Sequence, residues 1–548
     1  QAGYGGIVVT GIATVSSDSV INSVNIGKGA NSVATNTALG VNALDAAVTG
    51  ANNVAIGNQA MTTNTTGTEC VAVGSEALEA NTTGARNIAV GYRALEDNST
   101  GDFNVAVGSY ALPENTTGDN NVAVGRNALR YNTTASNNTA VGHQALDANT
   151  IGNGHVAVGA NALQKTTTAS NNVAIGYLAA EETTTGHSNI SIGSFALQEN
   201  TTAYANVAIG YQSMQDGNTN NGNTAMGYQA MKANTTGGIN VAIGYQTLLA
   251  NTTGGANVAV GDRALATNTT SSNNTAIGNQ ALRYNTTGLQ NTAVGALSLD
   301  ANTTAENNTA LGYVSLSANT TGDQNTAVGA DALKTNTTAD NNTAMGFAAL
   351  KLNTTGASNV ACGAYSLLTN STGNYNTAVG RGALSTSGSV SDQTAVGYNA
   401  LTSAGNSSVY NTAVGYKALE ALTTGTRCVA IGWEAGVALT TSNRTIIIGQ
   451  NAAQGVLTGD DNVIIGREAG HDMTSGNLNV CMGNYALQNT TTGAQNIAIG
   501  HEALQTNTTA SNNVAVGYKA LEAHTTGGDN TAVGSSSLGQ CTTGHTNN

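Results

Sequence analysis

The sequence predicts an all-β chain wound as a parallel β-solenoid, a β-roll with two short strands in each seventeen-residue coil. Three observations carry that class. A phrase ending in A-V-G recurs every seventeen residues almost from end to end. Each copy holds a short β-branched and aliphatic run bounded by Asn and Gly, the pattern of a strand. No segment shows the 3.6-residue period of a helix. A unit this small cannot bury its own apolar face, so repetition at a fixed short period implies stacking on neighbours.

The glycine that closes the phrase falls at Gly40, Gly57, Gly74 and onward to Gly534, thirty copies in all. One step is eighteen residues, between Gly397 and Gly415, and it coincides with the variant loop TSAGNSSVY. Loops tolerate such insertions best. With this glycine as position 5, position 1 is Asn in 25 of 30 copies and position 2 is always Thr, Val or Ile. Position 3 is Ala in 26 copies, position 4 is always Val, Ile, Leu, Met or one Cys, and position 9 is Leu in 23. Positions 2 to 4 read as the first strand and positions 7 to 9 as the second. The N-T-T-G phrase that follows is turn chemistry, because Asn bonds to local backbone and Gly accepts positive φ.

A compensation within the sequence predicts which residues meet. Position 3 becomes Ile only at Ile447 and Ile464, and in those copies position 9 shrinks to Ala453 and Gly470, with Gly436 in the copy before. Close packing at fixed volume requires such an exchange. Positions 3 and 9 are therefore expected to face each other inside the coil. Positions 2 and 4 then project outward as a stripe without a charge in any copy, which needs a partner surface. The competing arrangement puts 2 and 4 inside and Ala at position 3 against a close neighbour, and it needs a partner too.

Composition sets the limits on function. Only 9% of the 548 residues are charged and 4% aromatic, so the core is thin and built of small aliphatics. A net charge of −14 with seventeen scattered basic residues disfavours nucleic acid, which requires clustered Lys and Arg. No apolar run is long enough to span a membrane, and no signal peptide is visible. The start at Gln1 and the end at Asn548, partway through a repeat, predict a processed product or the ordered part of something longer. Residues 1–20 lie outside the repeat and are expected to form an attachment or capping segment, and residues 21–548 one continuous shaft.

The five cysteines, Cys70, Cys362, Cys428, Cys481 and Cys541, have unrelated spacings and stand where other copies carry Asn, Val or Ala. They read as small semi-polar substitutes within the stack. The seven histidines never fall at metal-ligand spacing, and the acidic residues lie in loops with no inward-facing pair for acid–base work. Gly27-Lys28-Gly29 lacks the length and following helix of a phosphate loop. No cofactor and no enzymatic activity are expected. Asn at position 1 is expected to stack amide to amide, and Thr at position 2 to do likewise with its hydroxyl. The N-T-T triplets match the N-glycosylation rule, although their recurrence at one turn is explained by the turn. Position 6 holds eleven of the 22 aromatics. Tyr92, Tyr177, Tyr211, Tyr228, Tyr245, Tyr313 and Trp433 are the candidate surface strip, suited to sugar rings, against the simpler reading of ring-on-ring packing.

At N-x-A-V/I-G-x-x-A-L the residues resemble the head repeats of YadA-like trimeric adhesins, most closely in NSVNIGKGANSVATNTALG (22–40), where Gly27 and Gly40 are thirteen apart. The N-T-A-V-G-Y-x-A-L-x-x-N-T-T-G arrays are similar to those of phage tail-fibre proteins. The resemblance covers nearly all of residues 20–548 and transfers no functional residue. It implies a left-handed roll in an intertwined or side-by-side homotrimer. For phage fibres it also implies a C-terminal self-cleaving chaperone, whose loss would suit the end at Asn548.

The reading that follows is the shaft of a viral, specifically phage, tail or capsid fibre, a rod of about 140 Å at the strand spacing. It would sit on the virion surface and hold a tip toward a host glycan or protein receptor. Its N-terminal end would join a baseplate or capsid protein. The alternatives are a bacterial surface adhesin or extracellular filament subunit, and an ice-binding solenoid with T-x-V rows. Val or Ile outnumbers Thr at position 2 by 18 to 12, which counts against the ice face.

Overall fold

The computed structural model describes residues 19–21, 24–217 and 219–547, and the chain divides into two compact units, residues 1–257 and 258–548. Both units are parallel β-solenoids of the same coil. In the first, a parallel stack runs from β3 (Thr37–Gly40) through β4 (Val54–Ile56) to β15 (Val241–Ile243). Register is kept without slippage, with Thr37 beside Val54 and Ala38 beside Ala55. In the second, β16 (Val258–Val260) to β32 (Thr531–Val533) repeat the pattern, with Ala259 beside Ala276. The eighteen-residue step leaves the register intact, since Ala395 still pairs with Ala413. The extra residue is taken up in the loop, where Ser391 and Val409 add an isolated parallel bridge.

The start of the first unit differs from the resemblance. β1 (Ser19–Ile21) and β2 (Val24–Gly27) pair antiparallel, and β2 pairs antiparallel with β3, Gly27 beside Ala38. The thirteen residues between Gly27 and Gly40 fall short of the seventeen that carry the chain once around. The chain reverses instead at a single 3₁₀ turn, Ala30–Ser32, where Asn31 and Ser32 take φ of 66° and 53°. β2 thereby covers the edge of the first parallel strand, as exposed strand edges require. Apart from Ser19 and Val20, the attachment or capping segment assigned to residues 1–20 lies outside the described residues.

The second strand expected at positions 7 to 9 is not there. Positions 7 and 9 are left-handed, as at Gln59 (φ 59°) and Met61 (φ 51°), whereas a strand needs φ well below zero throughout. The segment is a run of turns: Ala60 N–H donates to Gly57 O, and Asn64 N–H to Met61 O. Lateral bonds still hold it, Gln59 N–H reaching back to Val41 O and Met61 N–H forward to Ala77 O. Each coil therefore carries one strand of three or four residues. Glycine at position 5 is compulsory. Gly57 has φ of 139°, and a Cβ there would lie 2.2 Å from the carbonyl oxygen of Gly74 in the next coil.

Position 3 is fully buried and flanked by half-buried neighbours, as in Val54–Ala55–Ile56. Position 9 is buried with it, so the arrangement with 2 and 4 inside is excluded. Alanine at position 8 is buried as well, Ala60 beside Met61 and Ala77 beside Leu78. At Gly436 a Cβ would meet Ile447 Cδ1 at 2.8 Å, and at Gly470 it would meet Ile464 at 3.4 Å. The isoleucines fill the space that the missing leucines leave.

Candidate functional site

Two columns of asparagine run through the interior, and their chemistry decides what the coil can offer a ligand. At position 1, the Asn53 amide oxygen accepts the backbone N–H of Cys70 in the next coil (3.0 Å), and its amide nitrogen donates to Gly67 O across its own coil (2.9 Å). This column links side chain to backbone, with amide-to-amide bonds only in places, such as Asn121 to Asn104. The regular amide-to-amide ladder runs instead through the Asn of N-T-T-G. Asn81 donates to Asn64 (2.8 Å), Asn98 to Asn81 (2.9 Å) and Asn115 to Asn98 (2.8 Å), each also donating to a position-15 carbonyl. These asparagines are fully buried. The hydroxyl ladder likewise sits at position 13, where Thr65 donates to Thr82 O and Thr82 to Ser99 O. Among the described residues no position-2 threonine donates to the next coil, because those side chains point outward from the strand.

Substitutes in the position-1 column imitate asparagine. His155 is fully buried; Nε2 bonds to Ala169 O at 2.8 Å and Nδ1 accepts the Asn172 N–H at 3.2 Å. That pattern fixes the neutral ring, and burial pulls its pKa down. Cys70 and Cys428 donate their thiols to the carbonyls that Asn would reach, Gly84 O at 3.4 Å and Ser442 O at 3.1 Å. Burial pushes the Cys70 thiol up and takes Cys428 to about 11. All five cysteines are free thiols.

The predicted aromatic side chains are all exposed, from 41% at Tyr92 to 60% at Tyr313. In the first unit Tyr211, Tyr228 and Tyr245 stack in file at 5.5 and 5.2 Å with their planes within 13° of parallel. Position 7 joins them, a feature the position-6 pattern missed: Phe195 packs edge-on against both Tyr177 and Tyr211. Tyr92 packs edge-on against Tyr110, also at position 7. In the second unit Trp433 stacks on Tyr416 at 4.2 Å, and Tyr416 on Tyr398 at 5.3 Å. Arg381 bridges Tyr398 and Tyr365, and Tyr365 meets Phe347, so the file spans six coils. Within the stacked runs the ring faces are turned to one another along the column, and the edges are what solvent meets.

Charged groups pair between coils, as in Arg86 with Glu69 (2.8 Å), Lys165 with Glu182 (2.5 Å) and Lys519 with Glu502 (2.9 Å). Such exposed pairs contribute little to stability. Among the described residues one group of acids, Glu76, Glu79 and Glu96, comes within 4.8 Å, and Arg93 is already paired with two of its members. No helix of the described residues is long and apolar enough to cross a membrane. No family model matches the chain, and no curated protein sequence matches it either.

Proposed function

We propose that this structural repeat protein is the shaft of a viral fibre, specifically a phage tail fibre, formed as a homotrimer of left-handed coils on the virion surface. The observation that carries the reading is the outward strand face. Positions 2 and 4 hold no charge in any copy, and side chains such as Ile88, Ile175 and Met226 in the first unit and Ile277 and Leu311 in the second stand about 40% exposed. Repeated over many coils, so much exposed aliphatic surface favours burial against further copies of the chain. In this reading the function is mechanical. Lateral hydrogen bonds from coil to coil stiffen the shaft, its N-terminal end joins a baseplate or capsid protein, and it holds a tip toward a host receptor.

Light scattering of the purified chain tests the assembly. Three chains per particle are expected, and Ile277→Lys combined with Leu311→Lys should shift the mass toward one chain. A monomeric wild type overturns the trimer. A bacterial surface adhesin of the same fold would share the face, and peptide mapping of purified virions separates the two. An ice-binding reading draws on the threonine row Thr275, Thr292, Thr309, Thr326 and Thr343, which stand in direct register. Thermal hysteresis in its presence would favour that reading over the shaft.

A further inference from the structure

The periodic surface of the first unit is interrupted once in a way that makes a hollow. Position 10 carries long polar side chains in that region, Glu79, Glu96, Arg130 and Gln164 among them. In the coil between Glu96 and Arg130 the same position is Pro113, the chain's single proline. Its compact ring is buried and leaves the column one side chain short. The result is an open cleft of about 360 Å³, lined by Arg93, Asp97, Tyr110, Glu114, Arg130 and Tyr131. That volume lies in the range of small-ligand sites.

The polar groups of the cleft are unevenly committed. Arg93 is held by Glu76 and Glu96. Asp97 and Glu114 have neither an ion pair nor a side-chain hydrogen bond among the described residues, and burial raises the Glu114 carboxyl above the usual range, with Asp97 adding to it. Arg130 is ion-paired with the buried Asp147, Nε to Oδ1 at 3.5 Å, donates through Nη2 to the Tyr131 hydroxyl and lies 4.1 Å over one face of the Tyr131 ring, which leaves its other N–H groups uncommitted. The site thus combines free carboxylate acceptors, the remaining guanidinium N–H and phenol O–H donors, and the ring surface that Tyr110 and Tyr131 leave open to the cleft. A neutral, hydroxyl-rich ring satisfies all three at once. Its hydroxyls donate to carboxylates and accept from Arg and Tyr, and its C–H face covers the apolar side.

We infer that the Pro113 cleft is a binding site for one pyranose unit of a neutral glycan. The inference does not rest on the fibre reading, because the cleft lies within the first unit and stands whatever the chain is attached to. The test is saturation-transfer NMR and calorimetric titration of the whole chain with cellotetraose, chitotetraose and mannotetraose. At least one is expected to bind, and Pro113→Gln, which restores the side chain found at Gln164, should weaken that binding at least tenfold with an unchanged circular dichroism spectrum. Asp97→Asn with Glu114→Gln, nearly isosteric changes outside the core, should weaken it similarly and serves if the proline variant misfolds. Binding that survives in these variants, or no binding of any of the three by the wild type, overturns the inference.

Discussion

Ile464 and Met473 together occupy the space that leucine fills in most other coils: a Cβ placed on Gly470 would stand 2.8 Å from Met473 Sδ and 3.4 Å from both Cδ1 and Cγ2 of Ile464. Backbone conformation is not what demands glycine at this place. Gly470 has φ of 52°, and Leu487, at the same position one coil later, has 51°. Gly470→Leu should therefore fail by overpacking, costing about 1–3 kcal/mol. Ile464→Ala and Met473→Asn, the residue most coils carry at that place, added to it should restore most of the loss. Thermal melts of the two variants check this, and a combined variant no better than the single one contradicts it.

The buried amide ladder makes a second prediction. Asn98 donates to Asn81 and Gly101 and accepts from Asn115, so Asn98→Ala leaves the buried Asn81 amide oxygen and one Asn115 N–H without partners in the two flanking coils, while Gly101 O keeps the bond from Asn87. A loss of about 2–3 kcal/mol is expected, since each unsatisfied group costs about 1–3 kcal/mol. Hydrogen exchange should accelerate in the flanking coils first, because stability in a stacked repeat is a nearest-neighbour property.

The same burial redirects glycosylation. The asparagines of the position-12 ladder, such as Asn64, Asn81 and Asn98, are sealed inside, but Asn137, Asn273, Asn307 and Asn341 begin N-N-T triplets and are exposed. If the chain is secreted from eukaryotic cells, glycopeptide mapping of the folded fraction should find sugar at those four sites and none at Asn64, Asn81 or Asn98.

His155 predicts a local dependence on pH. Its folded pKa lies below the unfolded value of 6.5, so below that pH the unfolded chain binds a proton that the folded chain resists. The stability contributed by the neutral ring is full above about pH 6.5 and is lost as pH falls toward the folded pKa. The Asn172 amide, which hydrogen-bonds the ring, should have a lower protection factor (its exchange rate set against the intrinsic rate at the same pH) at pH 5 than at pH 7.5 in the wild type. In His155→Asn the difference should shrink.

Thiol reactivity offers the simplest check of the core. Cys70, Cys428 and Cys481 are buried and their thiols are held protonated, whereas Cys362 and Cys541 are partly exposed. In native buffer iodoacetamide should label Cys541 and Cys362 well ahead of the other three, and denaturant should equalise all five.

The coil length, the parallel stack, the buried pair at positions 3 and 9 and the outward face at 2 and 4 were all legible in the sequence. Each follows from a volume or polarity constraint that recurs thirty times, and recurrence makes a weak local signal decisive. The left-handed turn at position 9 had left a trace as well. That position holds Leu, Met, Ala or Gly and never Val, Ile or Thr, the residues least tolerant of positive φ, although it is buried and apolar. Without that exclusion, a buried small residue and a leucine after a variable position 7 read as a second strand.

Tertiary structure alone decided where the polar side chains go. Asn at position 1 and Asn at position 12 are the same residue type, and only the closed path of the coil aims one at backbone and the other at its own copy in the next turn. The Pro113 cleft and the files of rings also depend on which side chains become neighbours across coils. The sequence determined the repeating interior because packing constrains each copy alike. Contacts between copies required the three-dimensional path, because residues seventeen apart become neighbours only once the chain has wound.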